Sequence, residues 1–548
     1  MIDSQTAQLS WTNFPSGFSL EEADALPPTN SWRAYNQAPT FQNNQFFITL
    51  IVAKSTDRFF RLRQTSSEGL PPDPGTVASP LDATVVTDFT TATAFLYSSG
   101  NPIQTGVTNS AIESRRAAVL RGKVAARDGS PLPAVTISVL GHPEFGQTLT
   151  RADGAFDLAV NGGGQLTLRY EKNGFLAAQR AVVAPWRDYA WLPDVVMIPF
   201  DAAVTTVDLS VAAMQVARGG AVSDADGARR ATILFPQGTS ASLIMPNGTT
   251  QTVNSLNIRA TEFTVGANGP VAMPAPLPPS SGYTYCAELS LDEAVAAGAT
   301  EVRFNQALPV YVENFLGFPV GTAVPAGYYD RQKGQWIPSA NGRVIKVLNI
   351  TGGLADLDTD GNAAADDATK LAALGVTAEE RAHLAQLYAP GQTLWRVPIS
   401  HFSPWDFNWP YGPPTNAISP PGPKKNNPPV DNPNEECGSV IGIEGQTLGE
   451  SVAVTGTPWR LHYQSERVPG RKDAYTLEIP VSGTVAIPAT LQQMRVEVSI
   501  AGRLYQAAFP PAPNLTYTLT WDGIDGYGRL LQGRQLAVVQ VHFDYVPQ

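Results

Sequence analysis

Residues 118–160, AVLRGKVAARDGSPLPAVTISVLGHPEFGQTLTRADGAFDLAV, decide the fold class. Leu120, Gly122 and Val124 begin a strand, Asp128-Gly129 marks a turn, and Val135, Ile137 and Val139 alternate apolar with polar as a half-buried strand does. A second turn at Asp153-Gly154 opens another strand through Phe156, Leu158 and Val160, and Leu166, Leu168 and Tyr170 alternate again. Short alternating runs separated by Asp-Gly turns predict a small antiparallel sandwich.

The succession G-x-V, D-G-x-P-L, V-x-I-x-V and T-x-x-D-G-x-F-x-L in this stretch resembles the carboxypeptidase regulatory-like (transthyretin-like) domain. Ala134 stands where that family usually has glycine. The resemblance implies a sandwich without catalytic apparatus.

The remaining chain extends this β pattern. At 548 residues it exceeds one core and predicts several domains. Charged residues make up 16%, while Gly (47) and Pro (46) are abundant, a composition that suits short strands and tight turns. The net charge of -11 argues against nucleic acid and anionic membrane, since a phosphate-binding surface needs a cationic excess. No apolar run reaches the length of a membrane span. The opening Met1-Ile2-Asp3-Ser4-Gln5 lacks a basic or apolar signal region, so if the protein is exported its signal is expected upstream, and Met1 is not expected to be the natural start. Cys286 and Cys437, the two cysteines, cannot form a disulfide framework or a thiolate zinc cluster. Cys286 lies in a strand pattern and reads as a small buried hydrophobe; a bond to Cys437 is not expected.

In chain order, 1–64 is expected to be a small β-sandwich module and 65–80 a linker. A lead-in strap with the transthyretin-like sandwich takes 81–201. A large β-sandwich region covers 202–411, a proline-rich linker 412–436, and a last β domain 437–548. The expected fold is therefore all-β, a multidomain string of antiparallel sandwiches. Helix is expected in an insertion near 363–388, where Thr377 would N-cap a helix with Glu380 three residues later. In 202–411, Tyr329-Asp330 followed by Gly334 and Trp336, answered by His401-Phe402-Ser403, resembles bacterial adhesin-type sandwiches.

In 437–548, GTPWRLHYQS (456–465) resembles the first strands of Rhs/YD-repeat shells, and WDGIDGYGR (521–529) looks like a turn of immunoglobulin-like modules. The order of parts from Leu81 onward resembles the region upstream of the shell in bacterial Rhs/YD-repeat, teneurin-like proteins, although no repeat array is present. The resemblance implies a non-enzymatic scaffold or plug, secreted or at the cell surface. Its partner would be a downstream YD-repeat shell or another protein surface, with no insertion into membrane.

The sharpest chemical motif is DLDTDGNAAADD (356–367). Asp356, Asp358 and Asp360 occupy alternate positions before Gly361, Asn362 can give a carbonyl, and Asp366 or Asp367 can close the shell. Oxygen donors at this spacing suit Ca2+. The bland reading is an acidic turn that caps a helix. The histidines form no metal pair, and no nucleophile elbow or phosphate loop is present, so no catalytic residue is assigned. Trp405, Trp409 and Tyr411 could stack on sugar, or could pack as a strand exit. They carry the alternative reading, a carbohydrate-binding or adhesive surface protein with a glycan partner.

Overall fold

The computed structural model describes residues 6–12, 18–23, 33–34, 40–42, 45–51, 59–64, 69–100, 102–422, 439–442, 447–464 and 475–546. The chain divides into two compact units, Met1–Pro71 and Pro72–Gln548. The fold is all-β, in sheets that are predominantly antiparallel. In the first unit, Thr6–Thr12 pairs with Gln45–Ile51 in a register that sets Leu9 opposite the buried Ile48, and Phe18–Ala23 pairs with Phe59–Gln64.

The second unit begins at Pro72, within the expected linker, and runs on into the strap. Contrary to the expectation of helix only near 363–388, residues 74–98 contain three short helices: Pro74–Val77, Phe89–Thr93 and Phe95–Ser98. Asp73 and Asp88 cap the first two by accepting backbone N–H bonds, a local device that substitutes for length. Their apolar anchors, Leu96 and the nearby Ile103, are buried against Val119 and Tyr189.

The transthyretin-like sandwich follows. One sheet orders Ala178–Ala184, Gly164–Glu171, Thr136–Val139, Gln147–Leu149 and Gln104–Thr105 side by side. The other is centred on Ala117–Ala126, which pairs with Ala155–Asn161 antiparallel and with Asp188–Trp191 and Val195–Met197 in parallel. The sandwich is thus mixed, since after Ala178–Ala184 in one sheet the chain returns beside Ala117–Ala126 in the other, running parallel to it. Leu120, Val124, Val135, Ile137, Val139, Phe156, Leu158, Leu168 and Tyr170, the residues expected inward from alternation, form its core.

Residues 202–411 make two further large sheets and a two-stranded ribbon of Val222–Asp224 with Gly227–Arg229. The first runs Thr205–Asp208, Ser255–Glu262, Cys286–Leu291, Pro404–Asp406, Gly327–Asp330, Gln335–Pro338. The second is built on the long strand Glu301–Glu313 paired with Thr393–Phe402. The chain leaves the second sheet at Phe402 and enters the first at Pro404, where it meets the Gly327–Asp330 hairpin. The helices of the insertion, Ala368–Ala373 and Ala378–Leu387, place Leu371 and Leu384 in a separate core with Tyr311, Ile345 and Leu357.

Of the expected proline-rich linker, 423–436 lies outside the described residues, as does Cys437. The C-terminal region holds a sheet of Ser439–Gly442, Thr447–Ala453 and Arg460–Gln464. Beyond it, Arg503–Phe509, Leu491–Ile500 and Ala537–Tyr545 form another, and Thr476–Pro480 pairs with Thr516–Thr520. Met494, Val496, Val498, Leu519 and Trp521 share the core there. Among the described residues no helix is long and apolar enough to cross a membrane.

Candidate functional site

Asp157 is wholly buried on Ala155–Asn161, directly across the register from Arg121. Arg121 Nε and Arg151 Nη1 each lie 2.6 Å from one of its carboxylate oxygens. A buried carboxylate between two guanidinium groups needs its remaining lone pairs satisfied, and the third partner arrives from far along the chain. Tyr527 Oη donates to Asp157 Oδ1 at 3.2 Å. Arg121 reaches outward as well: its guanidinium donates to the carbonyls of Gly502 and Gly526 and lies over the rings of Trp191 and Tyr527. Trp191 Nε1 donates to the same Gly502 carbonyl at 3.1 Å.

The loop that delivers Tyr527 is shaped by Asp525, which accepts from the N–H groups of Tyr527 and Arg529 and pairs with the Arg529 guanidinium at 2.8 Å. Arg529 then donates to the carbonyls of Ser79 and Ala92 in the strap, and Thr87 exchanges two hydrogen bonds with Gln532. Tyr527 meets Phe95 and Tyr189 edge-on. A Cβ at Gly526 would come 1.8 Å from the Arg121 guanidinium and 2.8 Å from the Gly502 carbonyl, so a larger residue there displaces Arg121 from its place in the cluster. Strap, sandwich and C-terminal loop therefore close on one another around Tyr527. Burial drives the Tyr527 phenol well above its usual range, and the Asp157 charge beside it adds to that effect.

The acidic loop is placed by the Leu354–Asp358 strand and the helix that begins at Ala368. Gly361 takes φ +83°, and a Cβ there would lie 2.5 Å from the Val320 carbonyl, so the turn requires glycine. Asp358, buried, accepts from the backbone N–H groups of Gly361 (2.7 Å) and Ala363 (2.9 Å). Asp358, Asp360 and Asp366 each bring a carboxylate oxygen within 4.8 Å of the others. Two other candidate carboxylates turn elsewhere: Asp356 binds Thr351 and Arg381, and Asp367 caps the helix through Lys370 N–H. The Asn362 side chain accepts from Ala364 N–H, which leaves its expected backbone carbonyl uncommitted by that bond.

Sequence reasoning missed Lys370. Its ammonium bridges Asp360 and Asp366, the latter at 2.5 Å, and holds both carboxyls below the usual carboxylate range; at Asp366, burial acts in the opposite direction and is outweighed. The signal was present as an i, i+4 Asp366–Lys370 pair on a helix start. The three converging carboxylates suit a hard cation in donor type, and a cation at this point replaces an ammonium already there.

The aromatic exit does not form a stacking surface. Trp405 is buried, with its Nε1 donating to the His401 carbonyl, and Trp409 stacks on Phe318 at a centroid distance of 3.9 Å. Tyr411 alone of the three is exposed. Trp405 is core because the Pro404–Asp406 strand turns one face into the sandwich, and Trp409, beyond that strand, is partly buried against the same core.

These modules define a class: an all-β chain, with no membrane-length apolar helix among the described residues, in which a transthyretin-like sandwich is clasped to a C-terminal β module. Comparison with known families finds that both clasped parts are similar to teneurin domains. Residues 112–197 match the family model of the teneurin TTR-like domain, and residues 477–547 that of the teneurin 1-4 FN-plug domain. Teneurin-1 of Gallus gallus is 40% identical over 98 residues, covering 18% of this chain and 4% of that protein. Teneurin-3 of Mus musculus is 42% identical over 94 residues (17% and 4%), and teneurin-m of Drosophila melanogaster 44% over 82 (15% and 3%). The match thus spans a small fraction of these relatives' length. Among solved structures, a streptococcal ancillary pilin aligns over 46% of this chain and 96% of its own at 11% identity, with a TM-score of 0.14.

Proposed function

We propose that this chain is a non-enzymatic scaffold of teneurin-like modules, in which the transthyretin-like sandwich and the plug-like C-terminal module act as one rigid body. The observation that carries the reading is the Asp157–Arg121–Tyr527 clasp, which joins the two segments that match teneurin models. Rigid joining suits a part that spaces, docks or seals, because a hinge would dissipate position. The wider reading rests on the succession of sequence motifs: an exported or cell-surface protein of bacterial Rhs/YD-repeat type, with a downstream shell or another protein surface as partner. Ca2+ in the acidic loop belongs to the same proposal as a structural ion that displaces Lys370 from Asp360 and Asp366, with Asp358 as third carboxylate.

The test is Tyr527→Ala, read by small-angle scattering and limited proteolysis on the full chain. A larger radius of gyration with new cleavage in 77–117 is expected. Unchanged scattering and an unchanged digest would overturn the rigid-clasp reading.

A further inference from the structure

A cleft of about 780 Å³ opens where residues 202–411 meet the transthyretin-like sandwich. Its size falls within the range of sites that hold small ligands. One wall is Glu288 and Ser290 of Cys286–Leu291. Because Ala287, Leu289 and Leu291 of that strand face the core, alternation turns Glu288 and Ser290 the other way, toward the cleft. Ser400, His401 and Ser403 contribute where the chain passes between sheets, Tyr328 comes from the facing hairpin, and Phe175 and Phe200 give an apolar rim.

The charges in the cleft are already matched to one another. Glu288 holds Arg331 through two hydrogen bonds of 2.9 and 2.7 Å, Arg303 pairs with Glu301, and Lys333 with Asp330. Apart from Arg331 Nε, whose guanidinium is already held by Glu288, what remains without a partner is neutral: the buried Ser290 Oγ, Ser403 Oγ and His401 Nε2 make no hydrogen bond. Ser290 is only 7% exposed. A buried hydroxyl left unsatisfied costs free energy that a ligand can recover, and groups of this type are concentrated here on one cavity. The Tyr328 ring, packed edge-on against His401 at 4.4 Å, adds an aromatic surface to the same wall.

We propose that this cleft binds a neutral, hydroxyl-rich small ligand, a saccharide, through Ser290, Ser403 and His401 with Tyr328 as its apolar contact. Paired charges give an ion nothing to neutralise, whereas hydroxyls and a neutral imidazole both donate and accept, as sugar hydroxyls do. Tyrosine beside them offers a ring face to the C–H side of a pyranose.

The experiment titrates the full chain with the methyl glycosides of glucose, galactose, mannose and N-acetylglucosamine, following the His401 ring resonances by NMR, with acetate and arginine as charged controls. Saturable shifts with at least one glycoside and none with the controls are expected. Ser290→Ala with Ser403→Ala should weaken binding by about tenfold or more while leaving the melting temperature equal or higher, since neither hydroxyl has a partner to lose. No shift with any glycoside, preference for a charged control, or undiminished binding in the double variant would each overturn the proposal.

Discussion

Asp406 lies in the strand that links the two sheets of the large region, with Cys286 and Gly327 opposite it in register. Its Oδ1 has no hydrogen-bond partner, and burial pushes the carboxyl up to about 7; the Cys286 thiol beside it is also driven upward by burial. A raised carboxylate pKa stabilises the fold fully below the unfolded value of 3.8 and loses that contribution as pH rises toward about 7, because only the unfolded chain releases its proton in that window. The loss amounts to about 4 kcal/mol. Asp406→Asn should flatten the fall in urea midpoint between about pH 4 and about pH 8, and an unchanged slope would place its origin elsewhere. The acidic loop makes a second prediction at this scale. Ca2+ should bind saturably by calorimetry and raise the melting temperature, Asp358→Ala with Asp360→Ala should abolish both effects, and Lys370→Met should tighten binding while lowering the melting temperature in chelator. No heat with either the wild type or Lys370→Met would leave Lys370 as the loop's sole cation.

At the scale of elements, the insertion helices are held by one buried ion pair. Thr377 caps the second helix by accepting from Glu380 N–H at 3.1 Å, as the spacing implied, yet the Glu380 carboxylate does not return to the cap. It points inward to Arg396 Nε at 2.7 Å and to the Tyr311 hydroxyl, and Arg396 also donates to the Leu374 carbonyl at 2.9 Å. Glu380→Ala would strand a buried guanidinium and should cost about 3–5 kcal/mol in urea denaturation. Glu380→Leu with Arg396→Met should recover most of that loss, because an apolar pair of similar volume removes the desolvation cost. A loss below about 1 kcal/mol in the single variant would mean that solvent reaches the pair. The strap shows why elements of this size escape a pattern search. Four- and five-residue helices have no period to detect, and what fixes them is Leu96, buried by contacts with residues distant in sequence.

At the scale of the molecule, the clasp decides whether the modules move independently. Deleting the Tyr527 ring should cost about 3 kcal/mol or more at the joint, from lost packing against Phe95 and Tyr189 and from the bond to Asp157. Arg121 and Asp157 sit beneath it on the transthyretin-like side. A cycle of Tyr527→Phe and Asp157→Asn, read by thermal melts, should show non-additivity, as groups in one buried network do.

The sequence by itself determined the all-β class and the inward faces of the transthyretin-like strands, from Leu120 to Tyr170, because a two-residue period and Asp-Gly turns are local properties. It also located the turn at Gly361 and the helices that follow, since φ at a tight turn and an N-cap act within a few residues. Only the tertiary structure decided that Val195–Met197 runs parallel to Ala117–Ala126, that Trp405 is core, that Lys370 stands among the carboxylates, and that Tyr527 closes on Asp157 370 residues away in the chain. The physical reason is common to all four. Periodicity tells which side of an element is apolar, but which charge, ring or strand lies against it is settled by burial and pairing between segments with no local signature in common.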